Sequence, residues 1–559
     1  MLPYRTMLGR KTVVLGVIVT IAAVAAAFGQ YTTVPAPPRV EGKVDGIFSK
    51  FSGDVPGCTL GVSSGGKVIV EKAYGMADLE HAVRNTPSTV FEAGSVSKQF
   101  TAAAILLLAR DGKVSLDDLA RKYVPELPDY GAPITLRHLL QHTSGLRDWG
   151  EVAAIAGWPR TTRVHTHAHV LDIVSRQRAL NFAPGADWSY SNTGYNLAAI
   201  IVSRVSGQSF AEFTRDRIFQ PLGMTSTSWR DDFTRVVPNR AIAYSGTPGA
   251  FRMNMPFENV HGNGGILTTV GDLLRWNENF VSPKVGDRAF VETQLQPGVF
   301  ADGRAHDYAW GLVIGSYKGL PEISHGGATA GYRAYLARYP KQHVSVAVLC
   351  NAASANTAQY AHEVADLYLA DDIKPSSAPT PYRTQEAQLK AAAGLYRHTI
   401  TGDTLTVTVE NSTLRVQPGG AVIPVSAGRF VSAGGAVTIE IENDGQRLRV
   451  ANGNGTRATY ERTAPFTPSE TQLAEYVGVF SSDEAETTLT VAVDGKSLVM
   501  RRRPDSTATL RPVYADAFRS PQGLVRFHRD ASGRVTEVSL VGGRVWDMRF
   551  RRLAGSGTN

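Results

Sequence analysis

Cysteine is the scarcest residue of this 559-residue chain, which contains only Cys58 and Cys350. Two cysteines exclude a fold that depends on a disulfide framework. Cys58 begins the first strand-like segment of a mixed region and Cys350 ends its last one. Their sulfur atoms would meet if those strands paired antiparallel, and two buried reduced thiols are the alternative.

The chain also lacks a stripe of like charge. Its 58 Lys and Arg and 50 Asp and Glu, a net charge of +8, are scattered along the sequence. No motif of a nucleic-acid-binding fold is present, so neither RNA nor DNA is expected as a partner. With 43% apolar and 19% charged residues, a chain of this length is expected to fold into two to four domains.

Acidic residues are missing from the first 29 positions, which carry Arg5, Arg10 and Lys11. A 16-residue apolar run, VVLGVIVTIAAVAAAF, follows these cations and is short for a membrane span. Small residues suited to cleavage come next. We interpret residues 1–29 as a signal peptide, which predicts a secreted or periplasmic protein. An uncleaved anchor with the body facing outside is the alternative, and it would provide the contact with a membrane.

Two common hydrolase signatures are absent. A Gly-x-Ser-x-Gly nucleophile elbow requires glycine two positions to either side of the serine, but Ala93 and Ser97 occupy those positions around Ser95. The zinc motif HExxH does not occur either. We therefore expect neither a metal nor another cofactor.

The stretch FEAGSVSKQFTAAAILLLARDG contains the first candidate site. Ser95 and Lys98 stand three positions apart, a spacing that places two side chains on one face of a helix. The following run is apolar on all sides, which predicts a buried helix from Lys98 to Ala109 that stops at Asp111. Taken alone, Ser-x-x-Lys is most simply a capping serine beside an exposed lysine.

Two other polar segments contain candidate site residues. Tyr190 and Asn192 lie in the loop SYSNTG, just before a predicted helix, and His325 opens HGG within a strand-like segment. A glycine pair that ends at Gly327 would let another backbone or a ligand approach the strand closely. Each segment by itself is also compatible with ordinary loop structure.

The order of these motifs resembles the three-box pattern of serine β-lactamases and penicillin-recognising enzymes. The three boxes are Ser-x-x-Lys, Tyr-x-Asn and a basic residue followed by x-Gly. The resemblance covers residues 40–370 and points to the class C and D,D-peptidase branch. It implies an α+β domain of the β-lactamase/transpeptidase type. Such a domain has an antiparallel sheet flanked by helices, together with an all-helical region.

The resemblance implies that Ser95 attacks the substrate and forms an acyl-enzyme that water hydrolyses. A serine hydroxyl needs a base, and the pattern has no His–Asp pair of the chymotrypsin type. The base is therefore Lys98 or Tyr190, whose reference pKa values of about 10.4 and 10 would have to be lowered.

The other site residues are also implied by the resemblance. Asn192 would orient the substrate and the lysine. The backbone N–H groups of Ser95 and of Ala328, which follows Gly327, would form the oxyanion hole. The third box normally opens with a lysine, but here it opens with His325, an imidazole that is largely neutral at pH 7. That change disfavours an efficient β-lactamase or carboxypeptidase and favours esters, amides or peptides with a free amine.

Beyond a linker at 374–388, the sequence reads as β-structure and repeats itself. TLTVTVENSTLRV and TLTVAVDGKSLVM have the same alternation of apolar and polar residues around a turn. We predict two small antiparallel, lipocalin-like β-barrels at 389–463 and 470–555, which resemble the C-terminal modules of D-stereospecific aminopeptidase. At a constant offset of 84, the matched residues are Leu389, Gly394, Tyr396, Leu405, Val407 and Leu414 with Leu473, Gly478, Phe480, Leu489, Val491 and Leu498.

These features predict an extracytoplasmic serine hydrolase. Its substrate would be a small molecule or a peptide, such as a D-amino-acid-containing peptide, a small ester or a fragment derived from peptidoglycan. The alternative is a non-catalytic penicillin-binding-like protein that holds peptidoglycan or a protein partner.

Overall fold

A computed structural model of the chain describes residues 38–374 and 381–555. The predicted signal peptide and part of the predicted linker, residues 375–380, lie outside these residues. The described chain forms an α+β domain followed by two β-barrels. Within the described ranges, no helix is both long enough and apolar enough to cross a membrane.

The centre of the α+β domain is a six-stranded sheet in which all neighbouring strands are antiparallel. Helices cover both faces, which explains why VSVAVLC is buried at every position. The N-terminal hairpin pairs with the last strand of the domain, as the sequence predicted. In spatial order, the strands are Val313–Tyr317, Leu320–Thr329, Tyr332–Tyr339, Val344–Cys350, Cys58–Ser64 and Lys67–Tyr74.

The main helical region lies between the N-terminal hairpin and the last four strands of the sheet. The helix predicted from Lys98 to Ala109 spans Lys98–Arg110 and is buried through Leu108. It packs against Asn192–Ser206. The other α-helices are Pro38–Ile47, Leu136–Leu140, Trp149–Ile155, His167–Ser175, Phe210–Thr214, Gln220–Leu222, Val270–Glu278, Arg288–Leu295, Thr357–Tyr368, Glu386–Ala392 and Glu470–Ala474. Short strands occur at Met76–Asp78, Val83–Arg84, Phe91–Glu92, Ser228–Trp229, Tyr244–Ser245, Arg252–Met253 and Ile266–Thr268.

The two cysteines form a disulfide bond. Cys58 lies directly opposite Cys350 in the antiparallel register of their two strands. The meeting of the sulfur atoms is therefore confirmed, and the alternative of two reduced thiols is wrong. The bond closes a loop with a sequence separation of 292, so it ties the beginning of the domain to its end.

Removal of this disulfide is expected to destabilise the α+β domain. A Cys58→Ala/Cys350→Ala variant should lose about 2–4 kcal/mol of unfolding free energy, because the cross-link restricts the unfolded chain. Guanidinium unfolding followed by tryptophan fluorescence measures the loss. Dithiothreitol should shift the wild-type midpoint by a similar amount and leave the variant unchanged. Equal midpoints for the oxidised wild type and the variant would contradict the expectation.

Each C-terminal module is a closed barrel of eight antiparallel strands, which confirms the predicted fold. The first consists of Gly394–His398, Thr404–Glu410, Thr413–Gln417, Gly420–Ser426, Arg429–Ser432, Val437–Glu442, Arg447–Asn452 and Arg457–Thr463. The second consists of Gly478–Ser482, Thr487–Asp494, Ser497–Arg502, Ser506–Tyr514, Ala517–Ser520, Gly523–Arg529, Val535–Val541 and Met548–Arg552.

The sequence repeat corresponds to equivalent hairpins at the start of the two barrels. Gly394 pairs with Val407, and Gly478 pairs with Val491 in the same register. A short helix precedes each barrel and buries a leucine at the matched position. The constant offset of 84 therefore reflects two copies of one architecture.

The second barrel packs against the helical region through polar contacts. Arg147, whose side chain is only 2% exposed, forms an ion pair with Glu484 at 2.7 Å. Nearby, the amide of Asn181 donates a hydrogen bond to the carbonyl oxygen of Arg544 at 2.9 Å. Arg544 belongs to the turn at 542–547 that joins the last two strands of the barrel. These bonds hold two turns of the barrel, the one that contains Glu484 and the one that contains Arg544, against the α+β domain.

Candidate active site

Ser95 and Lys98 are brought together at the start of the buried helix. Ser95 lies in a 3₁₀ turn, Gly94–Ser97, and Lys98 is the first residue of the α-helix. The Lys98 Nζ atom is 3.2 Å from the Ser95 Oγ atom. Ser95 is partly exposed, whereas Lys98 is 0% exposed, so the interpretation of Lys98 as a solvent-facing lysine is wrong.

The ammonium position of Lys98 is surrounded by neutral groups. Its Nζ atom lies 3.0 Å from the Oδ1 atom of Asn192 and 2.6 Å from the carbonyl oxygen of Asn263. Burial lowers the pKa of Lys98 well below its usual range. The positive charges of Arg544 and Arg160 act in the same direction, while Asp148 opposes them. The site thus favours a neutral amine.

Two glycines allow the 3₁₀ turn to approach the strand Leu320–Thr329. Gly94 has a φ of +49°, and a Cβ atom on it would lie 2.7 Å from the backbone nitrogen of Ala328. A Cβ atom on Gly327 would lie 2.0 Å from the carbonyl oxygen of Ala93. The backbone nitrogens of Ser95 and Ala328 therefore both lie where the 3₁₀ turn meets the strand. An oxyanion hole requires two such N–H groups close together.

Tyr190 lies over the lysine. The Lys98 Nζ atom is 4.7 Å from the centre of the Tyr190 ring, and the ring of His142 packs against the tyrosine at 4.3 Å. Burial raises the pKa of Tyr190 above its usual value, although a hydrogen bond with Ser95 and the charge of Arg544 oppose the rise. The lowering of the tyrosine pKa that the sequence interpretation invoked is therefore not found. The phenol is protonated at neutral pH.

His325 contributes no positive charge to the site. Its Nδ1 atom is 2.6 Å from the carbonyl oxygen of Gly326, and its Nε2 atom is 3.0 Å from the hydroxyl of Tyr308. Burial, followed by the charge of Lys98, lowers the pKa of His325 to about 4. The imidazole is neutral at pH 7, so this position does not replace the cation of a lysine.

Asn192 is positioned by its place in the fold. It is the first residue of the helix Asn192–Ser206, and its backbone N–H donates to Asp148 at 2.7 Å. The Asp148 carboxylate also accepts a hydrogen bond from the backbone of Glu151 and so caps the helix Trp149–Ile155. One buried aspartate therefore holds two helix N-termini beside the lysine.

All seven residues proposed from the sequence contact or border one cleft of about 340 Å³. Lys98 does not line the cleft but lies buried behind it, in contact with the lining residues Ser95 and Asn192. Sequence reasoning missed Arg160, Arg544 and the carbonyl of Asn263. A backbone carbonyl that contacts a site has no signature in the sequence. Arg544 reaches the site only because the second barrel packs against the α+β domain. The lining residues are Gly94, Ser95, Arg160, Tyr190, Asn192, Asn263, Gly264, His325, Gly326, Gly327, Ala328, Thr329 and Arg544.

Comparisons with known proteins concern the family and the fold of the chain. The β-lactamase family model matches residues 38–370. A D-aminopeptidase of Gluconobacter oxydans (strain 621H) is 28% identical over 470 residues, which are 81% of this chain and 85% of that protein. Penicillin-binding protein 4* of Bacillus subtilis (strain 168) is 29% identical over 313 residues, 52% of this chain and 67% of that protein.

Solved structures show the same fold. The octameric penicillin-binding protein homologue from Pyrococcus abyssi has a TM-score of 0.53 at 21% identity and covers 84% of this chain and 99% of its own. The D-amino acid amidase from Ochrobactrum anthropi SV3, complexed with L-phenylalanine amide, has a TM-score of 0.51 at 22% identity. The match covers 60% of this chain and 99% of the amidase. The fold expected from the three boxes is thus confirmed.

Proposed function

The chain belongs to the β-lactamase family of serine hydrolases, and on that basis we propose that Ser95 attacks the carbonyl carbon of a peptide, amide or ester bond to form an acyl-enzyme. One observation carries the proposal: a fully buried lysine amine lies 3.2 Å from the Ser95 hydroxyl. A serine becomes a competent nucleophile when an adjacent base removes its proton.

Lys98 is the proposed base. A neutral amine has two N–H groups and one lone pair, and the oxygens of Asn192 and Asn263 accept those two N–H groups. The lone pair is then left for the proton of the Ser95 hydroxyl. This arrangement matches the lowered pKa of Lys98.

Tyr190 is the proposed proton carrier to the leaving group. Its phenol is protonated and hydrogen-bonded to Ser95, so it can donate its proton to the departing nitrogen or oxygen. The protonated Lys98 then returns a proton to Tyr190, and the acyl group stays on Ser95 until water releases it. The backbone N–H groups of Ser95 and Ala328 stabilise the negative oxygen that develops when the acyl-enzyme forms and again when water hydrolyses it.

The proposed substrates are peptides or amides that contain a D-amino acid, or small esters. The resemblance to a D-aminopeptidase over most of both chains supports the D-amino-acid class. The proposed location is secreted or periplasmic, on the basis of the basic and apolar segment at 1–29.

Labelling of the nucleophile tests the proposal. The purified full-length chain is treated with a fluorophosphonate and, separately, with a fluorescent penicillin, and mass spectrometry locates the adduct. We expect an adduct on Ser95 that a Ser95→Ala variant does not form. A folded protein that forms no adduct with either reagent and hydrolyses no ester would instead support a non-catalytic protein that holds peptidoglycan or a protein partner.

The pH dependence provides a separate check on Lys98. Neutral Lys98 is the active form, so kcat/KM should rise with pH through the lowered pKa of this residue and level off well below 10.5, the ordinary lysine value. Stopped assays between pH 5 and pH 10 measure this profile. An activity that keeps rising up to the pKa of a free lysine would argue against a buried neutral base.

A further inference from the structure

The charged side chains that line the cleft are both cationic. Arg160 and Arg544 border it, and none of the described lining residues is Asp or Glu. His325 is neutral at pH 7, as shown above. A substrate therefore meets two guanidinium groups beside Ser95.

Two nearby carboxylates, those of Glu258 and Asp148, are buried behind these arginines. The side chain of Glu258 is 3% exposed and pairs with Arg160 through two hydrogen bonds, one of them 2.8 Å long. The side chain of Asp148 is also 3% exposed and accepts hydrogen bonds from two helix N-termini. Neither acid presents its negative charge to the cleft.

Two hydrogen bonds hold the backbone of Arg544 in place, whereas its guanidinium makes only a long ion pair with Asp148 among the described residues. The backbone N–H donates to the carboxylate of Glu151 at 2.8 Å, and the carbonyl oxygen accepts from Asn181. The guanidinium lies 4.8 Å from the centre of the Tyr190 ring. The side chain is 44% exposed, and its 3.8 Å separation from Asp148 is too long for a hydrogen bond. Its donors are thus available to a ligand.

We propose that Arg544, with Arg160 beside it, binds a carboxylate of the substrate next to the bond that is cleaved. The inference rests on the proposed function and specifies its substrate class: acyl donors that carry a negative charge. The planar fork of an arginine matches a carboxylate with two parallel hydrogen bonds. The second barrel then takes part in substrate selection, because it supplies the arginine.

The same charges disfavour a free amine in this position. An ammonium group would add a cation beside Arg544 and Arg160, and like charges at close range repel. This consequence departs from the expectation, based on the histidine of the third box, that peptides with a free amine suit the site.

Two sets of substrates test the proposal on both sides of the bond. N-succinyl-, N-acetyl- and unmodified D-alanine p-nitroanilide share one scissile amide and carry a carboxylate, no charge and an ammonium group on the acyl side. N-acetyl-D-alanyl-D-alanine and its C-terminal amide differ only on the leaving side. We expect kcat/KM for the anionic member of at least one set to exceed that of its neutral partner by about 10- to 100-fold.

The variant Arg544→Gln should reduce this preference to within about twofold, whereas Arg544→Lys should retain part of it because the charge remains without the fork. Arg551→Gln is the matched control in the same barrel, since the Arg551 side chain is 82% exposed and does not line the cleft. Arg160 is a poor choice for the test, because its loss would leave the buried Glu258 short of a partner.

The outcomes separate the two proposals. Hydrolysis that depends on Ser95 but shows no preference for a carboxylate in either set, or a preference that survives in Arg544→Gln, overturns the substrate inference alone. Absence of both hydrolysis and a fluorophosphonate adduct at Ser95 overturns the proposed function and the inference with it. A preference that Arg544→Gln removes and Arg551→Gln keeps supports the assignment.

Discussion

A Lys98→Met variant is expected to hydrolyse its substrate with a kcat/KM about 10²- to 10⁴-fold below that of the wild type, while it remains folded. A general base contributes a factor of this order to a hydrolytic step. Methionine fills the space of the lysine stem but cannot take the proton of Ser95, 3.2 Å away. A Ser95→Ala/Lys98→Met double variant should be no slower than the slower single variant, because residues that act as a unit are not additive.

Lys122→Met provides the matched control for this substitution. The Lys122 side chain is 57% exposed and pairs with Asp118 on the surface, so its loss should change kcat/KM by less than about twofold. Steady-state kinetics on the three purified proteins give the comparison. If Lys98→Met stays within tenfold of the wild type, Lys98 is not the base.

The same variant should also change how stability depends on pH. Because the pKa of Lys98 is lowered in the folded state, the unfolded chain binds a proton that the folded chain does not bind at pH values between the folded pKa and 10.5. The unfolding free energy of the wild type therefore rises as pH increases from the folded pKa of Lys98 towards 10.5. Lys98→Met lacks this contribution, so denaturant unfolding at several pH values should show a flatter profile for the variant.

The second large effect is expected from Arg230, which is 1% exposed. Its guanidinium makes two hydrogen bonds to Glu92, at 2.7 and 3.1 Å, and lies 3.6 Å from Glu258. An Arg230→Met variant would leave Glu92 buried without its partner. Removal of one member of a buried pair costs about 3–5 kcal/mol, because a charge stays desolvated and uncompensated. We expect a loss of this size in the unfolding free energy of the α+β domain.

Guanidinium unfolding followed by tryptophan fluorescence is suited to this measurement, since four tryptophans of the domain are almost fully buried: Trp149, Trp229, Trp276 and Trp310. Arg288→Met is the control. Arg288 pairs with Glu292 one helical turn away, and the two side chains are 72% and 65% exposed, so its loss should cost less than about 0.5 kcal/mol. Similar midpoints for the two variants would show that the buried pair contributes little.

Arg230 also connects stability with the site. It ties the strand Phe91–Glu92, which leads into the 3₁₀ turn of Ser95, to Glu258, and Glu258 in turn holds Arg160 at the cleft. The four side chains Glu92, Arg230, Glu258 and Arg160 alternate in charge. A loss at Arg230 should therefore affect substrate binding as well as folding.

Local pattern was sufficient to predict much of the fold. The apolar run after Lys98 predicted a helix that the structure extends by one residue, to Arg110. Alternating residues around matched turns predicted two barrels, and the pairs Gly394–Val407 and Gly478–Val491 share one register. Such patterns are readable because helix and strand periodicity depends on neighbours in the chain.

The candidate site could be predicted only in part from the sequence. The three boxes located Ser95, Tyr190, Asn192 and His325 around one cleft, and their catalytic roles stay predictions. Ser-x-x-Lys taken alone was compatible with an exposed Lys98, the three-box resemblance favoured a role in the site, and the structure shows the residue fully buried. The pKa of Tyr190 was expected to fall but rises, because the cost of burial exceeds the effect of the nearby positive charge.

By itself, the sequence determined the family, the helix behind Ser95, the duplicated barrels and the residue types of the candidate site, because each depends on spacing along the chain. The tertiary structure alone decided that Cys58 bonds to Cys350, that the carbonyl of Asn263 faces Lys98, and that Arg544 reaches the cleft from the second barrel. Those contacts join residues that are distant in sequence. Only the packing of the sheet, the helices and the barrel brings them together. The sequence offered the cysteine pair as one of two alternatives and gave no sign of the other two contacts.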